Sequence, residues 1–172
     1  MDLTIRTAVP DDLKTMVAVK HDAGVTAWGH ILPTAVVETL PFPERWRTAI
    51  QSSDPRVRVL IVEASRKAVG FAVTRPSGDE DAAAETGELD GFFVDPASWG
   101  RGAGRALLDA AQTAMREAGF RDATLWTAAE NHRPRAIYEA AGWRTDGTDR
   151  RRAFGGVEFE EVRYRIALPA SS

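Results

Sequence analysis

The residues best arranged to do chemistry together are Gly100-Arg101-Gly102-Ala103-Gly104-Arg105, which follow Asp95-Pro96 and lead into a helical apolar pattern. Glycines let a backbone turn tightly and approach a ligand with no Cβ in the way. The first N–H groups of a helix lack internal partners, and the helix dipole adds positive potential at the same spot. Arg101 and Arg105 can add charge-assisted hydrogen bonds to phosphate oxygens. The turn reads as an anion site, against the plainer alternative of a turn with no ligand. Two nucleotide patterns are excluded. A G-x-G-x-x-G fingerprint needs a glycine at 105 or 107, where Arg105 and Leu107 stand. A phosphate loop ending in Gly-Lys-Ser/Thr does not occur.

Other side chains are candidates by placement. Glu88 and Asp90 alternate along an apolar stretch and so share one face of a strand. They are suited to receive a proton or to pair with a neighbouring arginine. Asn131 precedes a helical pattern as a cap would. Tyr138 lies on that helix, where a tyrosine is most often a packing residue. His21, His30 and His132 show no metal-ligand spacing and read as structural or surface groups, so no metal is expected. The chain has no cysteine, which excludes disulfides, thiolate zinc sites and a cysteine acyl-enzyme.

These residues need elements to hold them. Leu3 to Ala8 alternates as a strand, and Pro10-Asp11-Asp12 starts a helix striped by Leu13, Met16 and Val17. The stretch from Gly24 to Pro33, with Trp28 and His30, reads as a loop. Thr34 to Leu40 and Glu44 to Ile50 read as short helices separated by Pro41 and Pro43. Val57 to Ala64 and Val69 to Thr74 form a hairpin, and Pro76 to Gly87 is a solvated acidic loop. Glu88 to Val94 is a strand, Gly102 to Ala118 a helix closed by Gly119, and Ala123 to Thr127 a strand. Asn131 caps a helix to about Ala141, Arg150-Arg151-Arg152 reads as a solvated turn, and Val157 to Leu168 is a last strand. The order predicts a mixed α/β sheet whose centre, strand 88–94, helix 102–118 and strand 123–127, suits a right-handed parallel crossover.

Val94-Asp95-Pro96-Ala97-Ser98-Trp99-Gly100-Arg101-Gly102-Ala103-Gly104-Arg105-Ala106-Leu107-Leu108 closely resembles motif A of the GNAT N-acetyltransferase superfamily. Asn131 to Trp143, with Tyr138 and the Gly142-Trp143 pair, is similar to that family's motif B. The two motifs stand at the family's separation, and the resemblance covers nearly the whole chain. It departs at Trp99, where Gln or Arg is frequent, and at Pro134, where Ala is usual. A proline in the first helical turn costs little.

The resemblance implies the acyl-CoA N-acyltransferase fold: a mixed, mostly antiparallel sheet with a central parallel strand pair flanked by helices. It implies acetyl-CoA as acyl donor, with backbone groups of Phe92, Phe93 and Val94 holding the pantetheine arm as an added strand. Gly100, Arg101, Gly102, Ala103, Gly104 and Arg105 would hold the pyrophosphate, and Asn131 would add a contact. A backbone N–H near Phe93 or Val94 would polarise the thioester carbonyl. Tyr138 matches the family's general acid, since a phenol near pKa 10 can protonate a leaving thiolate. Glu88 matches the base in some members; its alternative is a strand residue paired to an arginine. Trp28, His30 and Asp90 are expected near the acceptor.

The implied reaction moves acetyl to a primary amine of a small molecule or peptide by direct attack. The alternatives are a non-catalytic acyl-CoA-binding module and a protein N-terminal acetyltransferase. A homodimer is a family expectation. With 172 residues, a net charge of −3 and a pI near 5.7, the chain is expected to form one domain over 1–168 with a tail at 169–172. Neither nucleic acid nor a membrane is an expected partner. With no signal-like apolar stretch near Met1, the expected location is the cytoplasm.

Overall fold

The computed structural model describes residues 2–170; the tail expected at 169–172 lies partly outside them. Seven strands form one sheet: β1 (Leu3–Thr7), β2 (Arg58–Ala64), β3 (Lys67–Pro76), β4 (Thr86–Val94), β5 (Asp122–Ala128), β6 (Arg144–Phe154) and β7 (Val157–Ala167). They lie in the order β1-β2-β3-β4-β5-β7-β6. Every neighbouring pair is antiparallel except β4 and β5, which are parallel.

Alternation along the strands sends side chains to two layers. Leu60 and Val62 face the helix α4 (Ala103–Glu117), where Leu107, Leu108, Ala111 and Met115 recur at helical spacing and are buried. Val59 and Ile61 face the other way, onto α1 (Leu13–Trp28) through Met16 and Val19 and onto α3 (Glu44–Ala49) through Trp46. The short α2 (Thr34–Glu38) buries Val37 with Leu32, Ala128 and Phe159. The helix α5 (His132–Ala140) packs Tyr138 against the first layer.

Both glycines expected to end helices do so. Gly119 has φ +92° and Gly142 φ +98°. After each, an N–H reaches back to the last helical turn, from Phe120 to the Met115 carbonyl at 3.1 Å and from Trp143 to the Tyr138 carbonyl at 3.0 Å. This is the Schellman arrangement. The β2–β3 turn takes left-handed conformations without glycine, at Ser65 (φ 50°) and Arg66 (φ 68°).

Four expectations are corrected. The stretch from Gly24 to Pro33 is not all loop: α1 continues to Trp28, because Ala23, Val25 and Trp28 extend its apolar side onto neighbouring clusters. Arg150-Arg151-Arg152 is not a turn but part of β6, where Arg150 and Arg151 pair across to Glu161 and Glu160. The acidic loop before β4 is not simply solvated. Arg163, only 4% exposed, holds Asp79 at 3.2 Å, Asp81 at 2.7 Å and Asp146 at 2.7 Å. Asn131 occupies the N-cap position of α5, yet its side chain makes no capping bond.

Candidate active site

The site begins where the parallel pair comes apart. β4 and β5 are in register only at Thr86–Asp122, Gly87–Ala123 and Glu88–Thr124. Beyond Glu88 each strand continues while remaining paired on its outer side, β4 to β3 and β5 to β7. The register of β4 against β3 shifts between Val73 and Thr74, leaving Asp90 as an extra residue between Leu89 and Gly91. Such a bulge sharpens strand twist. The result is a cleft with the inner backbone edge of Leu89–Val94 on one wall and Leu125–Thr127 on the other.

At the top of this cleft the chain turns through Asp95-Pro96, where the Asp95 carboxylate accepts the Ala97 N–H at 3.0 Å. Gly100 (φ +74°) and Gly102 (φ +89°) hold conformations that disfavour a Cβ. The first bond of α4 runs from the Ala106 N–H to the Gly102 carbonyl, so the amides before it have no helical partner. Gly100 and Gly104 line the cleft, and Ala103 is buried behind them. Arg101 is exposed. Arg105 is also exposed, with its guanidinium on Asp109 at 3.0 Å.

Phe92 and Phe93 point to opposite sides. Phe92 packs on Tyr138 with ring centroids 5.8 Å apart, and Phe93 packs on Trp46 and Phe71. Asn131 is buried on the β5 side, and Tyr138 faces the cleft from α5. Burial pushes the Tyr138 phenol above its ordinary 10.0, and nearby Tyr164 adds to the effect. The phenol therefore keeps its proton through neutral pH.

Glu88 and Asp90 share Arg75. Its guanidinium lies 2.9 Å from Glu88 and 3.1 Å from Asp90. Asp90 also accepts two hydrogen bonds from Arg45 and one from the Trp46 indole. Burial pushes Asp90 up, but the bonds from Arg45, the charge of Arg75 and the indole outweigh it and hold the carboxyl below 3.8. Glu88 goes the other way. Burial raises it above 4.5, Arg75 opposes this, and the charges of Asp90 and Asp79 reinforce it. Of the pair, only Glu88 has its carboxyl pushed above the ordinary carboxylate value.

Trp28 lines the cleft from the end of α1. His30 lies outside it, donating from Nε2 to the Glu130 carbonyl at 2.8 Å and tying the α1–α2 turn to the approach of α5. Three contributors were not singled out from the sequence. Trp126 stands in the cleft wall between Arg150, 4.1 Å away, and Arg163, 5.6 Å away, and donates to Asp79. Arg133 stacks on Trp99 at 4.3 Å and lines the same cleft. Trp99 in turn donates to the Val94 carbonyl at 2.8 Å, fixing the end of β4. Where the family's motif often has Gln or Arg, this chain has an indole that seats an arginine from α5. Arg75 is the third, and only its cross-strand register with Glu88 would have pointed to it.

The chain matches the Acetyltransferase (GNAT) family over residues 26–143. It is 36% identical over 139 residues to a mycothiol acetyltransferase of Propionibacterium freudenreichii subsp. shermanii, a match covering 81% of this chain. The match spans 42% of that relative's length. In fold it is similar to the PaiA N-acetyltransferase of Thermoplasma acidophilum, solved in complex with coenzyme A. The TM-score is 0.78 at 19% identity, over 97% of this chain and 99% of that one. It is similar too to yncA of Salmonella typhimurium, solved with its cofactor acetyl-CoA, with TM-score 0.75 at 21% identity over 100% and 97% of the two chains.

Proposed function

This chain belongs to the acetyltransferase (GNAT) family, and on that premise we propose that it moves an acetyl group from acetyl-CoA to a primary amine of a small molecule or peptide, by direct attack in a ternary complex. The observation that carries this reading is the separation of β4 from β5 beside a glycine turn, with Asn131 and Tyr138 facing the same opening. An unpaired inner strand edge suits an extended amide-bearing arm, as in strand addition. Helix-terminal amides at Gly102–Gly104 suit the pyrophosphate, with Arg101 within the turn and Arg133 in the cleft lining as cations.

The residues divide the proton work. Glu88 takes a proton from the attacking amine, directly or through water. The backbone N–H groups around Phe93 and Val94 stabilise charge on the carbonyl oxygen. Tyr138 returns a proton to the departing sulfur as the carbon–sulfur bond breaks and the carbon–nitrogen bond forms. A second cavity adjoins the cleft and shares Trp28, Leu89, Asp90, Phe93 and Trp126 with it, so both substrates can be present together.

The test is release of free thiol from acetyl-CoA against amines, polyamines, amino acids and antibiotics, with CoA affinity measured separately. Tyr138→Phe is expected to lower kcat by about 10²–10⁴-fold with CoA affinity retained. Turnover with none of the amines despite tight CoA binding would point to a binding module. No CoA binding at all would refute the reading.

A further inference from the structure

The second cavity, between α1, the 41–46 segment, β4 and β6, is lined by several charged groups, and nearly all are neutralised within the protein. Arg45 is bound to Asp90, Arg150 and Arg152 flank Glu161, and Arg75 faces Glu88. Among the described residues, two charges in the wall have no opposite charge within 4.0 Å: Glu38 and Lys20. Glu38 is exposed, and water solvates it where it stands.

Lys20 differs. It is half-buried, its ammonium lies 6.0 Å from the centroid of the Phe93 ring, and Phe93 is shared with the donor cleft. Burial pushes its pKa down, with no carboxylate acting against this. An ammonium drawn from water without a partner costs free energy, and a lysine's flexible stem ordinarily carries it outward. The same cavity is lined by the aromatic rings of Phe42, Trp46 and Trp126 and by the carboxylate pair.

Resting on the acetyl-transfer reading above, we propose that Lys20 binds a carboxylate of the acceptor, so that the preferred substrates are amines that also carry a free carboxylate on an apolar body. The amine end lies toward Glu88, the apolar body lies against the aromatic walls, and the carboxylate meets the one cation of the wall left without a partner. A charge-assisted hydrogen bond in a partly dry site supplies both affinity and selection. An acceptor lacking the carboxylate leaves the ammonium half-buried and unpaired, which is a stronger penalty than a missing apolar contact.

The experiment compares matched acceptors with the full chain: phenylalanine, phenylalaninamide and phenethylamine, and 6-aminohexanoate beside hexylamine. It reads kcat/KM by thiol release and, separately, acceptor binding to the CoA-loaded protein by calorimetry. The carboxylate-bearing member of at least one series is expected to be favoured by about 10- to 100-fold in both readouts. Lys20→Met brings that ratio to about one and Lys20→Arg restores it. Lys14→Met, which removes an exposed charge from the same helix, keeps it. Equal or better binding of the amides and simple amines, a ratio that survives Lys20→Met, or no heat with any acceptor overturns the proposal. Transfer only to amines lacking a carboxylate would overturn it while acetyl transfer stood. A calorimetric preference with no transfer to any amine would sink the acetyl-transfer reading and leave the carboxylate site in place.

Discussion

Glu88 and Asp90 lie on one strand, share one arginine and are driven apart in acidity by what else reaches them. Asp90 has Arg45 and an indole besides the shared arginine, while Glu88 has that arginine, the backbone of Gly78 and two like charges nearby. If Glu88 is the base, kcat/KM rises as pH climbs through its raised pKa, and this acidic limb disappears in Glu88→Gln. Arg75→Gln removes the charge that opposes the shift, so the limb moves to higher pH; a limb that stays put would exclude Glu88 as the group titrating. Stability has the opposite sign. The folded state holds the Glu88 proton more tightly than the unfolded chain does, so this contribution is present below 4.5 and is lost as pH rises through the folded value. Glu88 and Tyr138 were legible in sequence because strand alternation and a motif place them. Arg75 and Lys20 were not, since the β3–β4 register brings Arg75 to the carboxylates and the walls around Lys20 come from segments far away in sequence.

Among the elements, the glycine turn was the most legible, because left-handed backbone calls for glycine and the sequence has glycine there. Gly102→Ala is expected to cost about 1–2 kcal/mol in chemical denaturation, from a Cβ at φ +89° alone, since the added Cβ would meet only Leu3 Cδ1, at 3.8 Å. CoA affinity should fall as well, because the turn also presents the amides. Retained affinity would separate the turn from the ligand. The least legible element was β6. Its residues, RTDGTDRRRAF, are polar almost throughout, and it lies at the sheet edge with both faces largely exposed. A strand with no buried face leaves no period of two to read. The end of α1 was obscured for a different reason, as Gly24 interrupts the pattern while its neighbours Ala23 and Trp28 still pack.

Across the molecule, the two halves of the sheet meet along a short seam, and the Arg163 cluster sits beside it. Arg163 gathers Asp79 and Asp81 from the loop before β4 and Asp146 from β6, and it backs Trp126. Arg163→Met leaves carboxylates gathered with no cation between them, and a loss of about 3 kcal/mol in urea unfolding is expected. A loss near zero would mean that the loop is held by other contacts. No local pattern could have announced this cluster, since Asp81 and Asp79 lie 82 and 84 positions from Arg163. The open edge of β4 has a further effect on solvent access. Amides of Leu89–Val94 that do not pair with β3 are expected to trade hydrogen for deuterium quickly in heavy water, though they lie in the middle of a sheet. Saturating CoA should slow that exchange to the pace of the β3-facing amides, because the bound arm would complete a sheet that the polypeptide leaves unfinished.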